Sequence, residues 1–348
     1  MGLLRLLLAL SVVINHSGPL FGYSLIGGRA AVQSFFIISG FYMSLIINEK
    51  YALQAHAYRL FITNRFLRIF PIYWLVLILT ILFSVIIFHP LNLPSHESFL
   101  ELLIKNVFLF PTTDYIFNNS QTYEGLVVYP AWTLGLELLF YLVAPFIVKR
   151  KFPLILFLFL IALFARLYFT HPLRYYDGNY IDRFIPTEAV FFLAGVCSYK
   201  WYSYIKRLKI KQRYLFISMG VFIVCTLCYQ YIQNALLFVN SDFPRTLEYF
   251  YYLLLAVNIP FLFLATTKNR FDKLFGDLSY PVYIVHALVI LVCVSAGITL
   301  QHNDNVGRIF VLLAVLLSSF FINKFIANPI EHYRQKRLSK KIAYEKVE

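Results

Sequence analysis

The sequence predicts an all-α, polytopic integral membrane protein of about ten transmembrane helices, with both termini in the cytoplasm. Of its 348 residues, 60% are hydrophobic and only 14% charged, where ordinary soluble domains carry about 25% charged residues. Apolar runs near the ~20 residues needed to cross a hydrocarbon core recur along the chain. Its Lys and Arg residues gather on one side of the resulting helix map. Low charge and high hydrophobicity exclude a disordered chain, and a soluble fold of this composition would leave much apolar surface facing water.

The runs fall at about 3–21, 30–47, 69–88, 130–148, 152–170, 184–203, 214–233, 247–266, 279–299 and 306–327. With the N-terminus inside, the outer side keeps only Arg29, Lys105, Arg166, Arg174, Arg183, Arg245 and Arg308 of the 31 Lys and Arg. Basic loops resist translocation, so the formal net charge of +14 records topology and is not a nucleic-acid footprint. Residues 1–333 read as one transmembrane domain of a multi-pass inner (plasma) membrane protein. Residues 334–348 read as a basic cytoplasmic tail lying against anionic membrane lipid.

The first run is interrupted by Asn15, His16 and Pro19 and lacks a small-x-small cleavage pattern, so it reads as a retained helix and not a signal peptide. Cys197, Cys225, Cys228 and Cys293 all lie in predicted spans. The Cys225-x-x-Cys228 spacing is therefore assigned to packing despite its redox form. Residues 89–130 make a long outer connection with an amphipathic stretch from Ser98 to Phe110 and an aromatic, acidic run that includes Asp114, Tyr115, Tyr123 and Glu124. Such a segment is either functional or a connector on the membrane surface.

A charge at the centre of a bilayer costs roughly 2.5–3.5 kcal/mol on insertion scales, so intramembrane polar residues mark function or pairing. The candidates are His16, Glu137, Arg166, Glu188 and His286. Arg5 and His16 lie eleven residues apart, about three helical turns, hence on one face and ~16 Å apart along the axis. A permanent guanidinium at the inner mouth suits an anionic carrier, and an imidazole deeper in suits proton transfer. Glu137 enters from the opposite side, ~10 Å below the outer surface, at the depth of His16. A His–Glu pair in which the carboxylate orients the ring is therefore expected. Arg166 and Glu188 match in depth and read as a structural ion pair. Arg65 and Arg68 share a helix face and suit a phosphate clamp or ordinary inner anchoring. His286, placed one or two turns into its helix from the inner side, suits either packing or a donor pocket. No metal-ligand cluster, phosphate-cradling glycine loop or serine nucleophile elbow is present.

Five spaced motifs follow in order: Arg5-x10-His16; Phe35-Phe36-x-x-Ser39-Gly40-Phe41; Arg65-x-x-Arg68 before Pro71-x-Tyr73-Trp74; Trp132-Thr133-Leu134 with Glu137, Phe140, Tyr141 and Pro145; and Ser279-Tyr280-x-x-Tyr283-x-x-His286. Together they resemble the membrane-bound acyltransferase-3 family, whose members acylate cell-envelope acceptors. The resemblance spans nearly the whole chain. It departs in the Met1-Gly2-Leu3-Leu4 start, where relatives often carry an Asp, and at Asn328-Pro329, where they often carry Glu. It implies an O-acyltransferase using acyl-CoA, chiefly acetyl-CoA, as a cytoplasmic donor substrate, with no permanently bound cofactor and no metal. The implied acceptor is an extracytoplasmic glycan such as lipopolysaccharide O-antigen, capsule or exopolysaccharide. Functional weight falls on His16 and Glu137 as catalytic residues and on Arg5, Arg65 and Arg68 as donor-binding residues. His16 is expected to act as a general base or to carry the acyl group itself. A transporter or flippase would use the same intramembrane charges as a pathway, but would be expected to show paired interrupted helices from an internal repeat, and the sequence has none.

Overall fold

A computed structural model describes residues 1–51, 56–87, 98–109, 126–170, 182, 184–208, 210–237, 243–301 and 304–344. The Asp114, Tyr115, Tyr123 and Glu124 run of the long connection lies outside them, as do Arg174 and Arg183. The helices are α1 (Gly2–Ser17), α2 (Gly28–Glu49), α3 (Ala57–Ile86), α4 (Phe99–Phe108), α5 (Trp132–Ile147) and α6 (Phe152–Phe169). They continue with α7 (Ile185–Ile205), α8 (Gln212–Leu237), α9 (Phe243–Thr266), α10 (Arg270–Ser295), α11 (Asn305–Ile322) and α12 (Asn328–Tyr344). Among the described residues, eight helices are long and apolar enough to cross a membrane: α2, α3, α5, α6, α8, α9, α10, and α11 with its continuation. The first helix is shorter, and α7 is diluted by Glu188, Lys200 and several Tyr and Ser residues. The chain is thus an all-α, multi-pass membrane protein.

Lipid exposure follows from how little of some helices is covered. In α6 only Ile155, Ala162 and Arg166 are buried, and in α8 only Leu215, Phe222, Thr226 and Tyr229, each a single helical stripe. Phe157, Leu160, Phe164, Ile217 and Val221 stand exposed on the other faces. At the centre, α1 packs on α2 and α10, and α2 packs on α7. The α2–α7 crossing depends on two glycines. A Cβ at Gly40 would lie 2.0 Å from the Phe192 carbonyl oxygen, and one at Gly195 would lie 2.0 Å from that of Ile37. Small residues that let backbones meet are how membrane helices pack without a hydrophobic drive between them.

Three boundaries differ from the hydropathy reading. The third helix begins at Ala57, about twelve residues before its apolar run, so Arg65 and Arg68 share a helix, as their spacing implied, and lie more than two turns inside it. The tenth begins at Arg270, capped by Asn269, whose side chain accepts from the Phe271 and Asp272 amides. His286 therefore lies roughly sixteen residues, about 24 Å, along it. It sits well past the first two turns and toward the end of the bundle that carries His16. Finally, α11 runs through a π turn at Asn323–Ala327 into α12, with no break at 334. Charged residues that hold a helix against its neighbours lower local hydropathy, which is why an apolar window misses these ends.

Two further features are as the sequence implied. An amphipathic helix, α4, is closed by a capping box in which Ser98 and Glu101 exchange side-chain and backbone hydrogen bonds. It exposes Phe99, Leu100 and Phe108, as a helix on a membrane surface does. The carboxylate of Glu188 accepts from Arg166 Nη1 at 2.6 Å, while Arg166 Nη2 donates to Asp182 at 2.9 Å. Arg29 lies 3.2 Å from Asp182, and Gln33 joins both carboxylates.

Candidate active site

The polar residues converge on three abutting cavities. We call basal the end of the bundle that holds the start of α1 and apical the end that holds His16. A basal cavity of about 290 Å³ lies between the starts of α1 and α10, the middle of α3 and the π turn. Arg5, Arg68, Lys273 and Arg334 contribute its cations, and Asp272, Asp277 and Glu331 its carboxylates. Asp272 is committed locally: it accepts from the Gly2 and Leu3 amides at 2.7 and 3.0 Å, capping the first turn of α1.

Arg5, Tyr42, Arg68 and Tyr280 also line the central chamber of about 100 Å³, which adds Arg65, Glu137, Ser39 and Tyr141. Here Ser39 donates to Glu137 Oε1 at 2.6 Å, and the Tyr141 hydroxyl, one turn along the same helix, donates to the same oxygen. Arg65 is only 3% exposed and lies over the rings of Phe61 and Tyr141 at 5.6 and 5.8 Å. Its Nε and Nη1 have no hydrogen-bond partner among the described residues. A buried guanidinium with unsatisfied donors is expensive unless an anion completes it.

Val32 and Tyr283 then form the wall between the central chamber and an apical cavity of about 190 Å³. That cavity holds His16, Asn15, Gln33, Tyr129, Trp132, Asp182 and Glu188. His16 is exposed to it, in edge contact with Tyr129 at 5.6 Å and tilted against the ring of His286 at 5.1 Å. His286 is fully buried. Its Nδ1 lies 2.6 Å from the Tyr283 carbonyl oxygen, which can only accept, so Nδ1 carries the proton and Nε2 is an acceptor. That Nε2 has no partner.

The residues singled out from sequence are therefore divided. Arg5, Arg65, Arg68 and Glu137 meet in the central chamber, whereas His16 lies beyond the Tyr283 wall. Glu137 is bonded to Ser39 and Tyr141 and not to His16. Matching depth did not make them neighbours, because α5 presents its carboxylate to α2. The ring that does meet His16 is His286, which sequence alone placed too near the opposite end. Arg334 was assigned to the tail, yet it is 7% exposed. An i, i+3 relation to Glu331 is the one sequence signal that pointed to its pairing.

The chain is thus a multi-pass helical membrane protein with a basic central chamber and, beyond Tyr283, a histidine pair in which His286 is buried and His16 faces the apical cavity. Residues 1–324 match the acyltransferase domain of the acyltransferase-3 family, and the chain belongs to that family. No curated protein and no solved structure matches it. Membership makes it an acyltransferase-type membrane enzyme with an acyl-CoA-type donor.

Proposed function

We propose that the protein is an O-acetyltransferase of the inner (plasma) membrane. It moves an acetyl group from acetyl-CoA, bound from the cytoplasm at the basal end, to a hydroxyl of an extracytoplasmic cell-envelope glycan such as O-antigen, capsule or exopolysaccharide. In this reading α1 and α7 also cross the membrane, making ten spans with both termini inside. The observation that carries the proposal is the succession of abutting cavities, basic at one end and holding His16 on the far side of Tyr283 at the other. The orphaned Nε and Nη1 of Arg65 fit a phosphate-bearing donor. Arg5 and Arg68 flank the passage through which an extended pantetheine arm would reach inward over ~16 Å.

His16 takes the proton from the acceptor hydroxyl as its oxygen attacks the thioester carbonyl. The C–S bond then breaks, and His16 returns that proton to the departing thiolate. In this reading the Nε2 of His286, whose ring centroid lies 5.1 Å from that of His16, accepts from the His16 ring during transfer and holds it. Glu137, fixed by Ser39 and Tyr141, sits in the chamber as a counter-charge to the three arginines and a polar wall for the donor arm. The test is purified protein with radiolabelled acetyl-CoA and envelope glycan. The wild type should label the glycan, and His16→Ala, inserted and folded, should lower transfer by at least about a hundredfold. Near-normal labelling by His16→Ala would remove the histidine from the chemistry. Movement of unlabelled glycan without acetyl transfer would favour a flippase.

A further inference from the structure

The C-terminal helix completes the basal cavity from beyond the last of the five motifs. The π turn at Asn323–Ala327 adds an extra residue to one turn and swings α12 back across α3. Asn323 and Ala327 of this turn and Asn328 just after it line the cavity, and Glu331 and Arg334, about one and two turns further, do so as well. Arg334 is more than nine-tenths buried and lies within electrostatic range of Arg68 and Arg65. Its Nη1 donates to Glu331, while its Nε has no partner. The basal cavity and the chamber beside it thus gather Arg5, Arg65, Arg68, Lys273 and Arg334 around Glu137, Asp277 and Glu331, with Asp272 already committed to α1. Like charges of this density, away from water, need an anion with several acceptor oxygens.

We propose that Arg334 is a donor-binding residue, taking the phosphates at the nucleotide end of coenzyme A, and that Glu331 holds its guanidinium in place until those phosphates displace it. The proposal rests on the acyl-CoA reading above and extends the phosphate site from α1 and α3 to α12. The Nη1 contact to Glu331 occupies one N–H of the guanidinium, and a phosphate that displaces it can take two parallel N–H groups. The donor arm would then run from Arg334 past Arg68 and Arg5 into the central chamber.

The experiment is equilibrium binding of coenzyme A, and of pantetheine, which lacks the phosphates, to detergent-purified full-length protein. Arg334→Ala should weaken coenzyme A about tenfold and leave pantetheine unchanged, and Arg334→Lys should restore part of the loss. Glu331→Gln retains Arg334 and removes its internal competitor, so it should tighten coenzyme A severalfold even if Arg334→Ala fails to fold. Equal weakening of both ligands, or no change in either variant, would overturn the proposal. An Arg334 that serves lipid headgroup phosphates would lose affinity for phosphatidylglycerol nanodiscs with an unmoved coenzyme A ratio, which also overturns it. Wild-type protein that binds no coenzyme A would defeat the acyl-CoA reading itself.

Discussion

Replacing Arg166 with Met leaves two carboxylates without their buried partner. Arg166 is 1% exposed, with Glu188 at 2.6 Å and Asp182 at 2.9 Å. At an effective dielectric of about 20, each contact has a Coulomb attraction of about 6 kcal/mol, most of it offset by the desolvation of the ions. What the substitution exposes is the uncompensated charge: Glu188 is also 1% exposed, and its Oε2 already lacks a partner. Arg166→Met should therefore destabilise the protein by about 3–5 kcal/mol. Pairing it with Glu188→Gln removes the second charge and should recover a large part of the loss. Reversible unfolding in mixed micelles measures all three variants. A loss below about 1 kcal/mol for Arg166→Met, or single effects that simply add in the double variant, would refute the reasoning.

Other outcomes follow from the same geometry. His286→Ala should lower kcat roughly a hundredfold with the KM for acetyl-CoA nearly unchanged, and His286→Gln, which can still offer an acceptor, should regain part of it. A KM effect alone would place His286 in donor binding. Gly40→Val forces side-chain atoms onto the Phe192 carbonyl and should cost at least about 1–3 kcal/mol, seen as a lowered Tm in detergent, where wild-type stability would contradict the crossing. Arg65→Ala with Arg68→Ala should raise the KM for acetyl-CoA at least tenfold while the protein still inserts. An unchanged dependence of rate on donor concentration would remove the clamp.

Much of the fold was legible because lipid imposes a simple rule: long apolar helices, with charges outside or paired. The Arg166–Glu188 pair could be read from two intramembrane charges at one depth, and α4 from its amphipathic pattern. Helix ends were harder to place. Arg65, Arg68, Asp272, Lys273 and Asp277 line cavities, and a hydropathy window discards such residues. Which side chains meet was harder still. Depth can be counted along one helix, but the rotation that turns Glu137 to Ser39, and His16 to His286, is set by helix crossings such as that of Gly40 and Gly195.

A cryo-EM structure with a non-hydrolysable acetyl-CoA analogue tests most directly whether donor and histidine share one path through the bundle. The phosphates should lie among Arg5, Arg65, Arg68 and Arg334, with the acyl end reaching past Tyr283 to within contact of His16. An analogue with its phosphates in the apical cavity, or held outside the bundle with its acyl group far from His16, would contradict the account.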